Sequence, residues 1–167
     1  MPPILSLNET FLLDYCDDAK IAIYRVVHRR DRRAHVTEFS NTEIIEGYEC
    51  TSGWGGVCVY AHESCHFVVH LEFSLNFERD WFLIHADVGP LLFCVWYRPP
   101  CPNEVDSINS FFEEFDRLRP QGIGFLLVGD LNLHQRDWLI YSAEARPTSP
   151  EGRLMRDKCA EQGLLQI

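Results

Sequence analysis

Residues 91–100 read LLFCVWYRPP, and residues 126–132 read LLVGDLN. Each is a short, nearly continuous apolar run that ends in polar residues. Bounded by turn signals, such runs read as buried strands. Pro99 and Pro100 must end the first, because proline cannot continue a hydrogen-bonded ladder. Between the two runs, Asp106–Leu118 reads DSINSFFEEFDRL. Ile108, Phe111, Phe112, Phe115 and Leu118 fall on one face of a helix there. Pro120 and Gly122 stop it. A strand, an amphipathic helix and a second strand form the central unit.

The rest of the chain extends this pattern. Residues 81–86 and 91–96 are expected as two strands, with Asp87-Val88-Gly89-Pro90 as the turn between them. Residues 67–73 and 57–60 are earlier strands, the second preceded by a Gly53-Trp54-Gly55-Gly56 turn. Residues 4–7 and 21–27 read as further strands, and residues 11–19 as a short helix opened by Thr10. The HRRDRR run at 28–33 is the only concentrated positive charge. It reads as a solvated loop or as a phosphate-contacting patch. After the second apolar run comes a loop over 133–149. A helix over 152–162 follows, stopped by Gly163, and another strand starts at 164. Antiparallel strand pairs with helices between the later strands predict an α+β fold, a layered αββα sandwich.

The chain has 167 residues, 46% of them hydrophobic and 24% charged, the composition of one soluble globular domain. We read residues 1–167 as a single unit. A formal charge of −10 argues against a generic nucleic-acid coat, but it suits the acidic cluster that a hard cation needs. None of the seven cysteines forms a CxxC pair, and the seven histidines are scattered without ligand spacing. That pattern predicts neither zinc site nor disulfide framework, and a reducing, intracellular compartment, nucleus or cytoplasm. No run approaches the length of a membrane span, so no membrane partner is expected.

Polar groups stand at the ends of three apolar strands: Glu9, Tyr97 with Arg98, and Asp130 with Asn132. Open sheets place their sites at such strand ends. Two carboxylates, Glu9 and Asp130, supply oxygens suited to Mg²⁺. Asn132 would orient water or phosphate, and Arg98 and Tyr97 would contact the phosphate. Together these could support phosphodiester hydrolysis. Each has a plainer reading: a surface carboxylate, an ordinary Asp/Asn turn, the end of an edge strand.

The order of the pieces carries more. LSLNET (5–10), GWGGVCVYAHES (53–64), VWYRPP (95–100), the FFEEFDRL helix (111–118), LLVGDLN (126–132) and GRLMRDKCAEQGLLQI (152–167) follow one another as in a known family. In this the chain resembles the endonuclease/exonuclease/phosphatase superfamily, especially the endonuclease domain of non-LTR retrotransposons. The resemblance implies a four-layer αββα sandwich. It implies Glu9 as the metal-binding glutamate, Tyr97 as the active-site tyrosine, and Asp130 and Asn132 as the acid and amide of the GDxN motif. It further implies Mg²⁺ or Mn²⁺ as cofactor, DNA as the nicked substrate, and a reverse transcriptase domain in the parent polyprotein. Two family features are missing, an earlier strand bearing an asparagine and the terminal Ser-Asp-His motif. The expectation is therefore an incomplete domain. An impaired nuclease, an inactive remnant or binding module, and a phosphatase acting on lipid or nucleotide phosphates all stay open.

Overall fold

The computed structural model describes residues 4–8, 20–30, 56–65, 68–74, 78–101, 103–133 and 148–165. Glu9, the expected helix at 11–19, and residues 31–33 of the basic run lie outside them, as does most of the glycine turn before residue 57. In chain order the elements are β1 (Ile4–Asn8), β2 (Tyr24–Arg30), β3 (Val57–His62), β4 (Val68–Ser74), β5 (Arg79–Ala86), β6 (Gly89–Tyr97), α1 (Asp106–Leu118), β7 (Gly124–Asp130) and α2 (Pro150–Glu161). A single 3₁₀ turn, Arg119–Gln121, follows α1.

The strands form two sheets, ordered β1-β3-β2 and β4-β5-β6-β7. Every pair is antiparallel except β6-β7, which is parallel. Parallel neighbours need a crossover connection, and α1 provides it. The fold is mixed α+β, with two sheets and two helices among the described residues.

Side chains of β6 alternate between two cores. Leu92, Cys94 and Trp96 face the helices, joining Trp81, Ile108, Phe111, Phe112, Phe115, Leu118 and Met155. Phe93, Val95 and Tyr97 face the other sheet, joining Val57, Val59, Ala61, Phe82 and Ile84. A strand covered on both faces has no polar side, which explains the unbroken apolar run at 91–96. Phe111 is the centre of the helix layer. Its ring lies 5.2 Å from that of Trp96 and 5.5 Å from that of Trp81, nearly parallel to both. Fully burying such a ring is worth about 1.5–3 kcal/mol.

Several expected boundaries move. The β5-β6 turn is two residues, Asp87-Val88, because Ala86 already pairs with Gly89. Strand β2 runs to Arg30, so His28, Arg29 and Arg30 belong to a strand rather than to a loop. Helix α2 begins at Pro150, two residues before the expected start. Ser149 caps it, its hydroxyl accepting a hydrogen bond from the Gly152 N–H at 3.0 Å, and a proline at the first helical position is compatible with that start. Gly163 does end α2. Its φ is +69°, and the Leu164 N–H bonds back to the Cys159 carbonyl at 2.8 Å. Leu164 and Leu165 join no strand. Among the described residues, no helix is long and apolar enough to cross a membrane.

Candidate active site at the ends of two parallel strands

The parallel register of β6 and β7 pairs Val95 with Val128 and Tyr97 with Asp130. Val128 packs in the core between the sheets. Asp130, two residues on, therefore projects from the same face as Tyr97. The two side chains stand side by side where their strands end. Tyr97 is 6% exposed, and Asp130 is open to solvent.

The backbone locks this arrangement. The Arg98 N–H donates to the Asp130 carbonyl at 2.8 Å. Beyond Asp130 the chain turns back sharply. Asn132 has φ +47°, and its N–H donates to Asp130 Oδ1 at 3.1 Å. That is an aspartate-initiated turn, one reason Asp and Asn favour such places. The Asn132 side-chain amide then donates to the Arg98 carbonyl at 2.9 Å. Tyr97, Asp130 and Asn132, separated in sequence, thus meet at one sheet end. Glycine is required just before. Gly129 has φ +148°, and a Cβ there would sit 1.8 Å from the Trp96 carbonyl oxygen.

Arg98 occupies a different place from the expected phosphate contact. Its residue is 3% exposed, and its guanidinium is engaged inside the protein. Nε donates to the Ser107 hydroxyl at 3.1 Å, while Nη2 donates to the Glu104 carbonyl at 2.6 Å and to Glu104 Oε2 at 3.1 Å. Glu104 in turn accepts from the Ser107 N–H at 2.7 Å, satisfying a backbone donor in the first turn of α1. Burial alone would raise the Glu104 carboxyl. Hydrogen bonds from Ser107 and the charge of Arg98 outweigh it and hold the group below the usual carboxylate range. This triangle fastens the end of β6 to the start of α1, beside the site.

A hard cation asks for oxygen donors. The Asp130 carboxylate is one. Asn8 ends β1, and its buried Oδ1 has no hydrogen-bond partner. Glu9, the next residue, lies outside the described residues. Asp130 and Asn8 are each oxygen donors of the type that Mg²⁺ takes.

A second polar group escaped the sequence reading. His28, His70 and Asp80 converge from β2, β4 and β5, with one ligand atom of each within 4.8 Å of the others. Sequence spacing gave no hint of it, because three strands on two sheets supply one residue each. The local signal lay in Asp80, an acid directly before the apolar WFLI run.

Comparison with family models, with curated proteins and with solved structures found no match for the chain.

Proposed function

We propose that the chain is the phosphodiesterase domain of a DNA endonuclease, built on the endonuclease/exonuclease/phosphatase scaffold. The observation that carries this is the register match of Tyr97 with Asp130, closed by the Asn132 side chain on the Arg98 carbonyl. The order of the sequence motifs supports the same reading.

Asp130 would accept a proton from an attacking water. Its solvent-facing carboxylate is steered by the Asn132 N–H. Tyr97, the register partner of Asp130, would donate a hydrogen bond from its phenol to a phosphate oxygen. The Asn132 amide donates one N–H to the Arg98 carbonyl, and its second N–H and its oxygen would serve substrate or water. Arg98 contributes by position, holding the strand end against α1. Glu9 and Asp130 would hold Mg²⁺, or Mn²⁺ in its place. That ion polarises the phosphoryl oxygen and steadies the leaving oxygen when bound. DNA is the proposed substrate, and a reverse transcriptase domain the proposed neighbour in a parent polyprotein.

The test is nicking of supercoiled plasmid by the purified chain in Mg²⁺. Nicking abolished by EDTA and by Asp130→Ala is the expected result. A folded wild-type chain that leaves the plasmid intact would overturn the reading and favour an inactive remnant. Release of phosphate from nucleotide or inositol phosphates with no plasmid nicking would replace DNA with a phosphomonoester.

A further inference from the structure

We propose that His28, His70 and Asp80 form a binding site for a transition-metal dication, Zn²⁺ in the first instance, that clamps the two sheets together. This inference does not rest on the phosphodiesterase reading. It concerns another donor set, and its test does not read nuclease activity.

The three residues bridge the sandwich. His28 comes from β2 of the first sheet, and His70 and Asp80 from β4 and β5 of the second. Nε2 of His28 lies 3.2 Å from Asp80 Oδ1, and Nε2 of His70 lies 3.0 Å from the same oxygen. The two imidazoles stack, with centroids 4.5 Å apart and planes 14° apart. Both ring nitrogens approach the same carboxylate oxygen, the three ligand atoms lying within 4.8 Å of one another, and the nearly parallel rings must tilt for both lone pairs to meet one ion.

The backbone is adapted to aim them. The β2-β3 pairing shifts register between Val26 and His28. The β4-β5 pairing shifts between His70 and Glu72. Each histidine therefore adjoins an irregularity in its ladder. Such bulges re-aim side chains, and they concentrate next to functional sites.

Hydrogen bonding leaves the cluster incomplete. Asp80 is completely buried, and its Oδ2 has no hydrogen-bond partner among the described residues. Nε2 of His28 is also buried and makes no hydrogen bond, despite lying close to Oδ1. Buried charges are ordinarily paired or coordinate metals, and a half-satisfied one is costly. A dication among the three converging atoms would give His28 Nε2 its missing partner, and a carboxylate binding through both oxygens would engage Oδ2 as well.

The geometry suits such an ion. Bonds of ~2.0–2.2 Å from tetrahedral Zn²⁺ place ligand atoms roughly 3.3–3.5 Å apart. The two nitrogen–oxygen distances, 3.0 and 3.2 Å, must open slightly, and the two ring nitrogens, within 4.8 Å of each other, must come to the same spacing. Two imidazoles and one carboxylate select zinc or a similar first-row ion over Mg²⁺, which prefers all-oxygen shells. Phe82 lines the group, its ring 5.1 Å from that of His70 and 6.0 Å from that of His28, giving an apolar wall. The two histidine side chains keep 22% and 34% of their surface exposed, so the cluster lies near solvent although His28 Nε2 and Asp80 are buried.

The experiment uses the whole chain, stripped with chelator and dialysed. Zn²⁺ is titrated by calorimetry, and Co²⁺ is followed by its visible d–d absorption. One ion per chain, a Tm raised by the bound ion, and Co²⁺ bands undisturbed by excess Mg²⁺ are expected. His70→Ala should weaken binding by at least the ~10–100-fold that loss of a mere outer partner costs a metal site. His85→Ala, at an exposed histidine away from the cluster, should bind as wild type does. His70 is itself partly exposed, so its variant should fold, and a far-UV circular dichroism spectrum checks that. A folded wild-type chain that takes up neither Zn²⁺ nor Co²⁺ overturns the proposal. Undiminished binding by a folded His70→Ala chain overturns it as well.

Discussion

Arg79 of β5 and Glu114 of α1 meet through two hydrogen bonds, Nε to Oε2 at 2.7 Å and Nη2 to Oε1 at 2.6 Å. The guanidinium is completely buried, and it stacks on Trp96, its carbon 4.7 Å from the ring centroid. Nη1 donates to the Ser107 carbonyl at 3.0 Å, and Nη2 also donates to the Ser110 hydroxyl at 3.1 Å. Glu114 also accepts from the Trp81 indole at 2.7 Å and from Ser110 at 2.9 Å. An apolar helix–sheet interface thus contains one ion pair with a dense set of bonds. The pair fixes α1 against the strands whose ends carry Tyr97 and Asp130.

Removing one partner should cost far more than removing both. Glu114→Ala leaves a buried guanidinium unpaired, at about 3–5 kcal/mol. For a chain of this length that is a Tm fall of roughly 6–20 °C. The double change Arg79→Met with Glu114→Leu should lose less than Glu114→Ala alone, because apolar groups can replace a buried pair at little net cost. Thermal denaturation of the three chains checks the order. A double variant less stable than Glu114→Ala would refute it.

The same carboxylate makes stability depend on acid. Burial raises the Glu114 carboxyl, but the bonds and charge of Arg79, with those from Trp81 and Ser110, more than offset it and hold the group below its ordinary value. A folded-state value below the unfolded one gives stability that is fully present above the ordinary glutamate range of about 4.3. That stability is lost as pH falls through this range toward the folded value. Glu104 acts in the same sense. Wild-type Tm should therefore drop steeply below about pH 5. Glu114→Gln should start lower at neutral pH and lose less on acidification. Parallel Tm curves for the two chains would show that Glu114 does not carry the effect.

Thiol reactivity should divide by burial. Desolvation pushes Cys94 well up, against the pull of Arg79, and pushes Cys159 up to about 11. Only thiolates alkylate readily, so both should resist iodoacetamide at neutral pH. Cys101 is exposed on the loop before α1. Peptide mapping should find Cys101 modified in the native protein, and Cys94 and Cys159 only after unfolding. Native modification of Cys94 at the rate of Cys101 would contradict the burial of β6.

What the sequence revealed depended on how local the signal was. The buried character of β6, the apolar face of α1 and the GDLN turn after β7 each follow from a few adjacent residues. Pairing does not. That Tyr97 meets Asp130 depends on a parallel register across a helix, and that Arg98 turns inward depends on Ser107 and Glu104 in the next element. The His28–His70–Asp80 group is the extreme case. Its members stand on three strands of two sheets, and the HRRDRR run hid His28 among charges that read as a loop. Arg79 and Asp80 were likewise hidden, since two charged residues before an apolar run look like a solvated turn until both prove buried.

Gly129 is where sequence, fold and candidate site meet most tightly. Its φ of +148° disfavours any side chain, and the Trp96 carbonyl lies where a Cβ would go. Gly129→Ala must therefore push β7 away from β6 just before Asp130. Asp130→Ala, by contrast, removes an exposed side chain and leaves the ladder intact. The glycine change should lower Tm by several degrees and also separate Asp130 from Tyr97. The aspartate change should leave Tm within a degree or two while abolishing any Mg²⁺-dependent nicking. Thermal melts and plasmid assays on both variants separate the two effects. A Gly129→Ala chain as stable as wild type would mean that β6 and β7 do not pair in this register.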